Sequence, residues 1–111
     1  MNRDTGLTTN ELKSISKVFE LYPVIDSVVL FGSRAKRNFK NASDIDLAIK
    51  GAEVNLKCVL DLNTDLDDLM FPYKFDLINF NHINEQDLID HIKHVGLEIY
   101  NKKNQIIFHN Q

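Results

Sequence analysis

An apolar run that stops at a glycine, followed by an alternating segment, constrains the fold of this chain most strongly. Residues 28–31 are apolar and partly β-branched and end at Gly32, which is typical of a buried strand that feeds a tight turn. Residues 43–49 alternate between polar and apolar side chains, which predicts a second strand with Asp44 and Asp46 on one face. Strand one therefore leads into Gly32, and strand two presents two carboxylates side by side.

Helical patterns surround these strands. Thr8 and Glu11 form a capping box before an apolar stripe that Pro23 ends, which predicts a first helix. The second and third helices are predicted from stripes of spaced apolar residues, at Leu56, Val59, Leu60, Leu66, Leu69 and Met70 and at Leu88, Ile92, Val95 and Ile99. Residues 74–80, which contain Asp76, predict a third strand, and residues 105–108 a last short one. The alternation favours an α/β (α+β) fold with a small mixed sheet and helices packed on it.

Length and composition indicate one domain over residues 1–111, with its core at about residues 10–100. The single cysteine, Cys58, can form no internal disulfide, so we expect a buried thiol in a reducing, cytoplasmic setting. Membrane insertion and secretion are disfavoured, because no apolar run approaches the ~20 residues of a membrane span. A net charge of -3 gives little general attraction for nucleic acid, so we expect no direct binding to it.

The chemistry is predicted at the Gly32-Ser33 turn and the aspartates. A strand that turns into a short helix exposes backbone N–H groups, and glycine lets a phosphate approach them closely. Asp44 and Asp46 would project about 7 Å apart on one face, close enough to share oxygen-liganded Mg²⁺ ions. Asp76 is the best candidate for a third carboxylate, because an ionised side chain in an apolar strand needs compensation.

Each of these features also has a purely structural interpretation. Gly32-Ser33 alone is more often an ordinary turn, and paired aspartates alone more often face solvent; their combination reverses that preference. An edge strand would also tolerate Asp76. The basic cluster Arg34, Lys36, Arg37 and Lys40 is either a phosphate-binding element or a solvated loop. His91 and His94 are best explained as surface residues, as are Asp61, Asp65, Asp67 and Asp68.

The combination of Gly32-Ser33, Asp44-x-Asp46 and Asp76 resembles the nucleotidyltransferase superfamily related to DNA polymerase β. More narrowly, the segments Gly-Ser-Arg-Ala-Lys and Ser-Asp-Ile-Asp-Leu resemble the minimal nucleotidyltransferases (MNT, MntA-like), which pair with HEPN-domain proteins. The resemblance implies a polymerase β-like core and transfer of a nucleoside monophosphate to a hydroxyl, usually AMP from ATP, with another NTP as the alternative substrate. A tyrosine of a HEPN toxin is one such acceptor, which would make the chain an antitoxin.

Applied to this chain, the resemblance makes Gly32 and Ser33 triphosphate-binding. Arg34 and Lys36, the members of the basic cluster closest to this turn, are predicted to contact the nucleotide as well. It makes Asp44, Asp46 and Asp76 catalytic residues and the ligands of two Mg²⁺ ions. A HEPN-domain partner, or a second copy of the chain, would complete a pocket that larger relatives complete with another domain.

One departure from the family pattern leaves the function open at this point. Arg37 stands where the family usually has glycine. This favours a second hypothesis, a non-catalytic binding subunit of a HEPN–MNT complex, whereas the three carboxylates favour the enzyme. A third hypothesis is transfer to a small molecule such as an aminoglycoside.

Overall fold

The computed structural model describes residues 5–36 and 43–103, which fold into a four-stranded mixed sheet with helices on both faces. The helices are α1 (Thr9–Glu20), α2 (Gly32–Lys36), α3 (Leu56–Asp67) and α4 (Gln86–Val95). The strands are β1 (Ser27–Phe31), β2 (Ile45–Lys50), β3 (Phe75–Asn79) and β4 (Leu97–Asn101), and a 3₁₀ turn (Phe80–His82) follows β3. The predicted fold class is confirmed. None of the helices within the described ranges is long and apolar enough to cross a membrane.

The strand order of the sheet is β3-β2-β1-β4. β1 pairs antiparallel with both β2 and β4, and β2 pairs in parallel with β3. The parallel pair requires a crossover, which α3 supplies between β2 and β3. As a result, the end of β1 and the beginnings of β2 and β3 lie at the same end of the sheet.

The two faces of the sheet carry different side chains because successive residues of a strand point to opposite faces. One face packs on α1 and α3, where Leu30 and Leu47 are fully buried in the main core cluster with Phe19 and Leu62. The other face packs on α4 through Val29, Ala48 and Ile92. Asp46 and Ala48 alternate with Leu47 along β2, so the Asp46 side chain lies on the α4 face.

The predicted capping box starts α1. The Thr8 hydroxyl accepts from the Glu11 N–H at 3.0 Å, and the Glu11 carboxylate accepts from the Thr8 N–H at 2.9 Å. These bonds satisfy two backbone donors that a helix N-terminus leaves free. The helix ends at Glu20, before Pro23. This part of the prediction is confirmed.

The predicted apolar stripe of α3 is wrong at Leu56, at Leu60 and at Met70, which is 84% exposed and follows the end of the helix at Asp67. Leu56 and Leu60 are 70% and 57% exposed, whereas Cys58, Leu62 and Leu66 are the buried residues of the helix. Both sets recur at helical spacing, and the crossover geometry selects the second set to face the sheet. The predicted burial of Cys58 is confirmed.

The apolar stripe predicted for the third helix, which is α4 in the structure, extends too far. α4 ends at Val95, and Ile99 lies in β4, which the sequence patterns did not predict as a strand. The helix stops because the backbone at Gly96 is extended after its N–H donates to the Ile92 carbonyl at 2.9 Å. β3 is also shorter than predicted, Phe75–Asn79, and the short strand predicted at residues 105–108 lies outside the described residues.

Candidate active site

The site predicted from the sequence assembles at the end of the sheet where β1 finishes and β2 and β3 begin. Phe31, the last residue of β1, is paired with Asp46 of β2. Asp46 is in turn paired with Asp76 of β3. Neighbouring strands lie about 4.8 Å apart, so Gly32, Asp46 and Asp76 come from three adjacent segments of backbone.

Asp46 and Asp76 are partners in the parallel register of β2 and β3, and the proximity of Asp76 changes the chemistry of Asp46. Burial, the charge of Asp76, the charge of Asp44 and a hydrogen bond with Asp76 together raise the pKa of Asp46 to about 6. Two carboxylates can share a hydrogen bond only if one of them keeps a proton. A bound cation would replace that proton and remove the repulsion, so the pair is chemically suited to a divalent ion.

The backbone of Gly32 lies close to the Asp46 carboxyl of this pair. Its φ is +76°, a conformation that residues with a Cβ rarely adopt. A Cβ at this position would also overlap the Asp46 Oδ2 atom. Gly32 opens α2, as predicted, with half-buried Ser33 next in the chain. The turn therefore sets Ser33 and the start of α2 beside the carboxylates.

Asp44 and Asp76 occupy positions that differ from the sequence-based expectation. β2 begins at Ile45, so Asp44 precedes the strand and is exposed rather than lying within it beside Asp46. Asp76 is exposed as well, so the cost of burying charge falls on Asp46, which is half-buried. The strand assignment of Asp44 and the expected burial cost at Asp76 are therefore wrong, although Asp44 still acts electrostatically on Asp46.

The carboxylates do not form a complete metal cage by themselves. Across residues 5–36 and 43–103, no group of three His, Cys, Asp or Glu side chains is close enough to hold a metal ion. Mg²⁺ is commonly held by only one or two carboxylates together with water and substrate phosphates. The hard oxygen donors of Asp46 and Asp76, with Asp44 adjacent, fit that mode of binding.

The two basic residues predicted beside the turn have different surroundings. Lys36 is exposed at the end of α2. Arg34 is 1% exposed, and its guanidinium donates hydrogen bonds to the Thr5 and Ser43 carbonyls. Arg37 and Lys40, the other members of the predicted basic cluster, lie outside the described residues.

Three contacts, two of them near the site, were not anticipated from the sequence. The Tyr73 ring lies 4.6 Å from the Arg34 guanidinium carbon, an arrangement that no sequence spacing signals. His91, predicted as a surface residue, is half-buried and packs edge-on against Phe31, whereas His94 is exposed. Asp65, also predicted to be solvated, is half-buried and accepts a hydrogen bond from the Tyr22 hydroxyl.

Solved structures with this fold include chains from toxin–antitoxin systems. A chain of a toxin–antitoxin crystallised with AMP-PNP aligns with a TM-score of 0.69 and 20% identity, over 85% of this chain and 77% of that one. A chain of the toxin–antitoxin MntA-HepT aligns with a TM-score of 0.64 and 18% identity, over 88% and 77%. A structure of tri-AMPylated Shewanella oneidensis HEPN toxin with its MNT antitoxin aligns with a TM-score of 0.59 and 18% identity, over 85% and 75%.

The comparison with curated proteins found no match. The comparison with protein families agrees with the fold. The family model described as polymerase beta, nucleotidyltransferase matches residues 13–105, which include all of the described segments that carry the site. The predicted resemblance is thereby confirmed, and this chain belongs to the polymerase beta nucleotidyltransferase family.

Proposed function

We propose that this protein is a Mg²⁺-dependent nucleotidyltransferase that transfers AMP from ATP to a protein hydroxyl. The observation that carries the proposal is the pairing of Asp46 with Asp76 in the parallel register of β2 and β3, with the Asp46 carboxyl against Gly32. Two carboxyl groups forced together at the start of parallel strands destabilise the protein unless a cation or a proton compensates them. Ligand binding gives this arrangement a physical purpose.

Each site residue has a distinct role in the proposal. The backbone of Gly32 and the Ser33 hydroxyl bind the triphosphate, and exposed Lys36 adds positive charge near the phosphates. Asp44 and Asp46 hold the two Mg²⁺ ions, and Asp76 shares in this binding. Bound Mg²⁺ would supply positive charge that neutralises the phosphates.

Asp76 is also the residue that orients the acceptor. It is the exposed member of the carboxyl pair, so an incoming hydroxyl can reach it from solvent. Its carboxylate holds that hydroxyl and accepts its proton as the oxygen attacks the α-phosphorus of ATP. The bond between the α-phosphorus and the bridging oxygen breaks, and pyrophosphate leaves.

The acceptor we propose is a tyrosine of a HEPN-domain partner, which makes the chain an antitoxin. The structural likeness to MNT–HEPN assemblies, one of them with an AMPylated toxin, supports this choice. Proximity within a stable complex would supply the acceptor at high effective concentration. The partner, or a second copy of the chain, would also cover the exposed side of the site.

Isothermal titration calorimetry with ATP, in the presence and absence of Mg²⁺, tests the nucleotide site. We expect Mg²⁺-dependent binding that weakens by at least about tenfold in the Asp44→Asn/Asp46→Asn variant. The matched control is Asp67→Asn/Asp68→Asn, which removes the same charge from exposed residues at the end of α3. A folded wild-type chain that binds no ATP with Mg²⁺ would overturn the proposal in favour of a non-catalytic antitoxin subunit.

Intact-protein mass spectrometry tests the acceptor. A HEPN protein encoded beside this chain should gain the mass of one or more AMP groups when it is incubated with the chain, ATP and Mg²⁺. Replacing its modified tyrosine by phenylalanine should abolish the gain. Transfer to an aminoglycoside, with no change in the mass of the HEPN protein, would instead identify a small-molecule transferase.

A further inference from the structure

The largest fully buried side chain among the described residues is charged. Arg34 is 1% exposed, and burial of a guanidinium is costly unless its N–H groups are hydrogen-bonded. Its Nη1 donates to the Thr5 carbonyl at 2.8 Å. Its Nε and Nη2 both donate to the Ser43 carbonyl, at 3.2 and 2.9 Å. The fork of the guanidinium is thus fixed on backbone.

The partners of Arg34 adjoin the residues of the proposed site. Ser43 immediately precedes Asp44. The Tyr73 ring, 4.6 Å from the guanidinium carbon, belongs to the segment that leads into β3 and Asp76. Arg34 itself follows Gly32 and Ser33 in α2. One side chain therefore joins the three segments that carry the phosphate-binding turn and the carboxylates.

The segment around Asp44 has particular need of such an anchor. Asp44 lies before β2, and the first bond of that segment to β3 is the one from the Ile45 N–H to the Lys74 carbonyl, at 2.8 Å. The Ser43 carbonyl, held by two N–H groups of one guanidinium, is fixed in both position and direction. The Asp44 carboxylate then starts from a defined backbone position.

We propose that Arg34 is a positioning residue of the nucleotidyltransferase site, which holds Asp44 relative to Asp46 and Asp76. This replaces the direct nucleotide contact predicted for Arg34 from the sequence, and it rests on the proposed function. A lysine cannot take over the role, because an ammonium is a point charge without the planar fork that grips one carbonyl twice and stacks on a ring.

Two measurements on Arg34→Lys test the inference. The first is amide hydrogen exchange of the metal-free protein by NMR, in which the Ile45 amide should exchange at least about tenfold faster than in wild type. The second is Mn²⁺ binding with AMP-PNP, followed by the free-Mn²⁺ electron paramagnetic resonance signal. Loss of a residue that orients metal ligands typically weakens metal affinity by about 10–100-fold, and we expect a loss in that range.

The control variant is Lys57→Gln, which removes an exposed cation from the ion pair with Asp61. It should leave both readouts at the wild-type values. If Arg34→Lys does not fold, Tyr73→Leu keeps the guanidinium, removes the ring beneath it, and is judged by the same two readouts.

The outcomes separate positioning from plain stabilisation. Faster exchange at Ile45 with unchanged exchange in β1, together with weaker Mn²⁺ binding, supports the inference. Equal acceleration of all amides, or wild-type Mn²⁺ affinity in a folded variant, overturns it. A wild-type chain that binds no Mn²⁺ with AMP-PNP overturns the proposed function instead, and the exchange data still decide whether Arg34 holds the Asp44 segment.

Discussion

The Asp46 carboxyl group occupies the space that a Cβ at Gly32 would need. The nearest atom to such a Cβ is Asp46 Oδ2, and the backbone at Gly32 has a φ of +76°. Two separate constraints therefore require glycine here. One is the left-handed backbone, and the other is the close approach of a site carboxyl to the turn that we propose binds phosphate.

Gly32→Ala should lower stability for both reasons. The left-handed conformation alone costs a residue with a Cβ about 1–2 kcal/mol, and displacement of Asp46 adds to that cost. Urea unfolding measures the total. Mg²⁺-dependent ATP binding should also weaken, because Asp46 has to rotate away from the turn.

A double-mutant cycle with Asp46→Ala separates the two costs. In that background the remaining Asp46 Cβ would lie at an ordinary contact distance of 3.4 Å from the new methyl group. Gly32→Ala should then lower the free energy of unfolding only by the cost of the left-handed backbone. Equal costs in both backgrounds would show that the Asp46 carboxyl does not constrain position 32.

The raised pKa of Asp46 makes the stability of the ligand-free protein depend on pH. Burial, with the charges of Asp76 and Asp44, holds this pKa at about 6, above its ordinary value of 3.8. Between these values the folded state binds more protons than the unfolded state, so stability falls as pH rises. The contribution is fully present below about pH 4 and is lost as pH rises through about 6.

Asp46→Asn should therefore melt at a higher temperature than wild type at pH 7.5 in EDTA, with the difference vanishing near pH 4. Thermal unfolding across this pH range measures the effect. Asp67→Asn, at an exposed position of α3, is the control and should follow the wild-type profile. Identical pH profiles for wild type and Asp46→Asn would contradict the raised pKa.

The parts of the fold that the sequence predicted are those fixed by local chemistry. The capping box at Thr8, the strand that ends at Gly32 and the alternation after Ile45 each depend on residues close together in the chain. The errors occur where packing against a distant element decides which residues are buried. Leu60 and Leu62 both fit a helical stripe, and only the packing of α3 on the sheet selects Leu62.

The same distinction between local and distant determinants applies to the candidate site. Its turn and aspartates were identified from residue types and spacing, whereas the pairing of Asp46 with Asp76 depends on the parallel register of β2 and β3. The parallel pair requires the α3 crossover, and no local pattern encodes how the two strands then align. The burial of Arg34 depends on its hydrogen bonds to the Thr5 and Ser43 carbonyls. Thr5 lies far from Arg34 in the chain, and Ser43 lies after α2, so no local pattern predicts these bonds.

The Tyr22 hydroxyl donates a hydrogen bond to the Asp65 carboxylate and so joins the segment after α1 to α3. Burial and this bond raise the pKa of Tyr22. Tyr22→Phe removes the donor and should cost about 1.5–3 kcal/mol of unfolding free energy, since a hydrogen bond to a charged group is involved. Urea unfolding at pH 7 measures the loss.

Nucleotide binding should be unaffected by Tyr22→Phe. Tyr22 precedes β1, at the end of the sheet opposite to Gly32. Asp65→Ala is the companion variant, which removes the acceptor, and its effect on stability should not add to that of Tyr22→Phe in the double variant, because both remove one interaction. Additive losses would show that the bond does not couple the two residues.

Substitutions of Asp76 and Asp46 should affect the proposed reaction differently, because the two residues have different roles in it. Asp76→Asn keeps an oxygen donor and the shape of the side chain but cannot accept the proton of the acceptor hydroxyl. We expect the rate of AMP transfer to fall about 10²–10⁴-fold, the usual contribution of a general base. ATP binding with Mg²⁺ should weaken less than in Asp46→Asn, because Asp76 is the exposed and acceptor-facing member of the pair. Single-turnover transfer and calorimetry, measured on both variants, give the comparison. If Asp76→Asn lost ATP binding as fully as Asp46→Asn but kept the transfer rate of its bound fraction, Asp76 would be a metal ligand only.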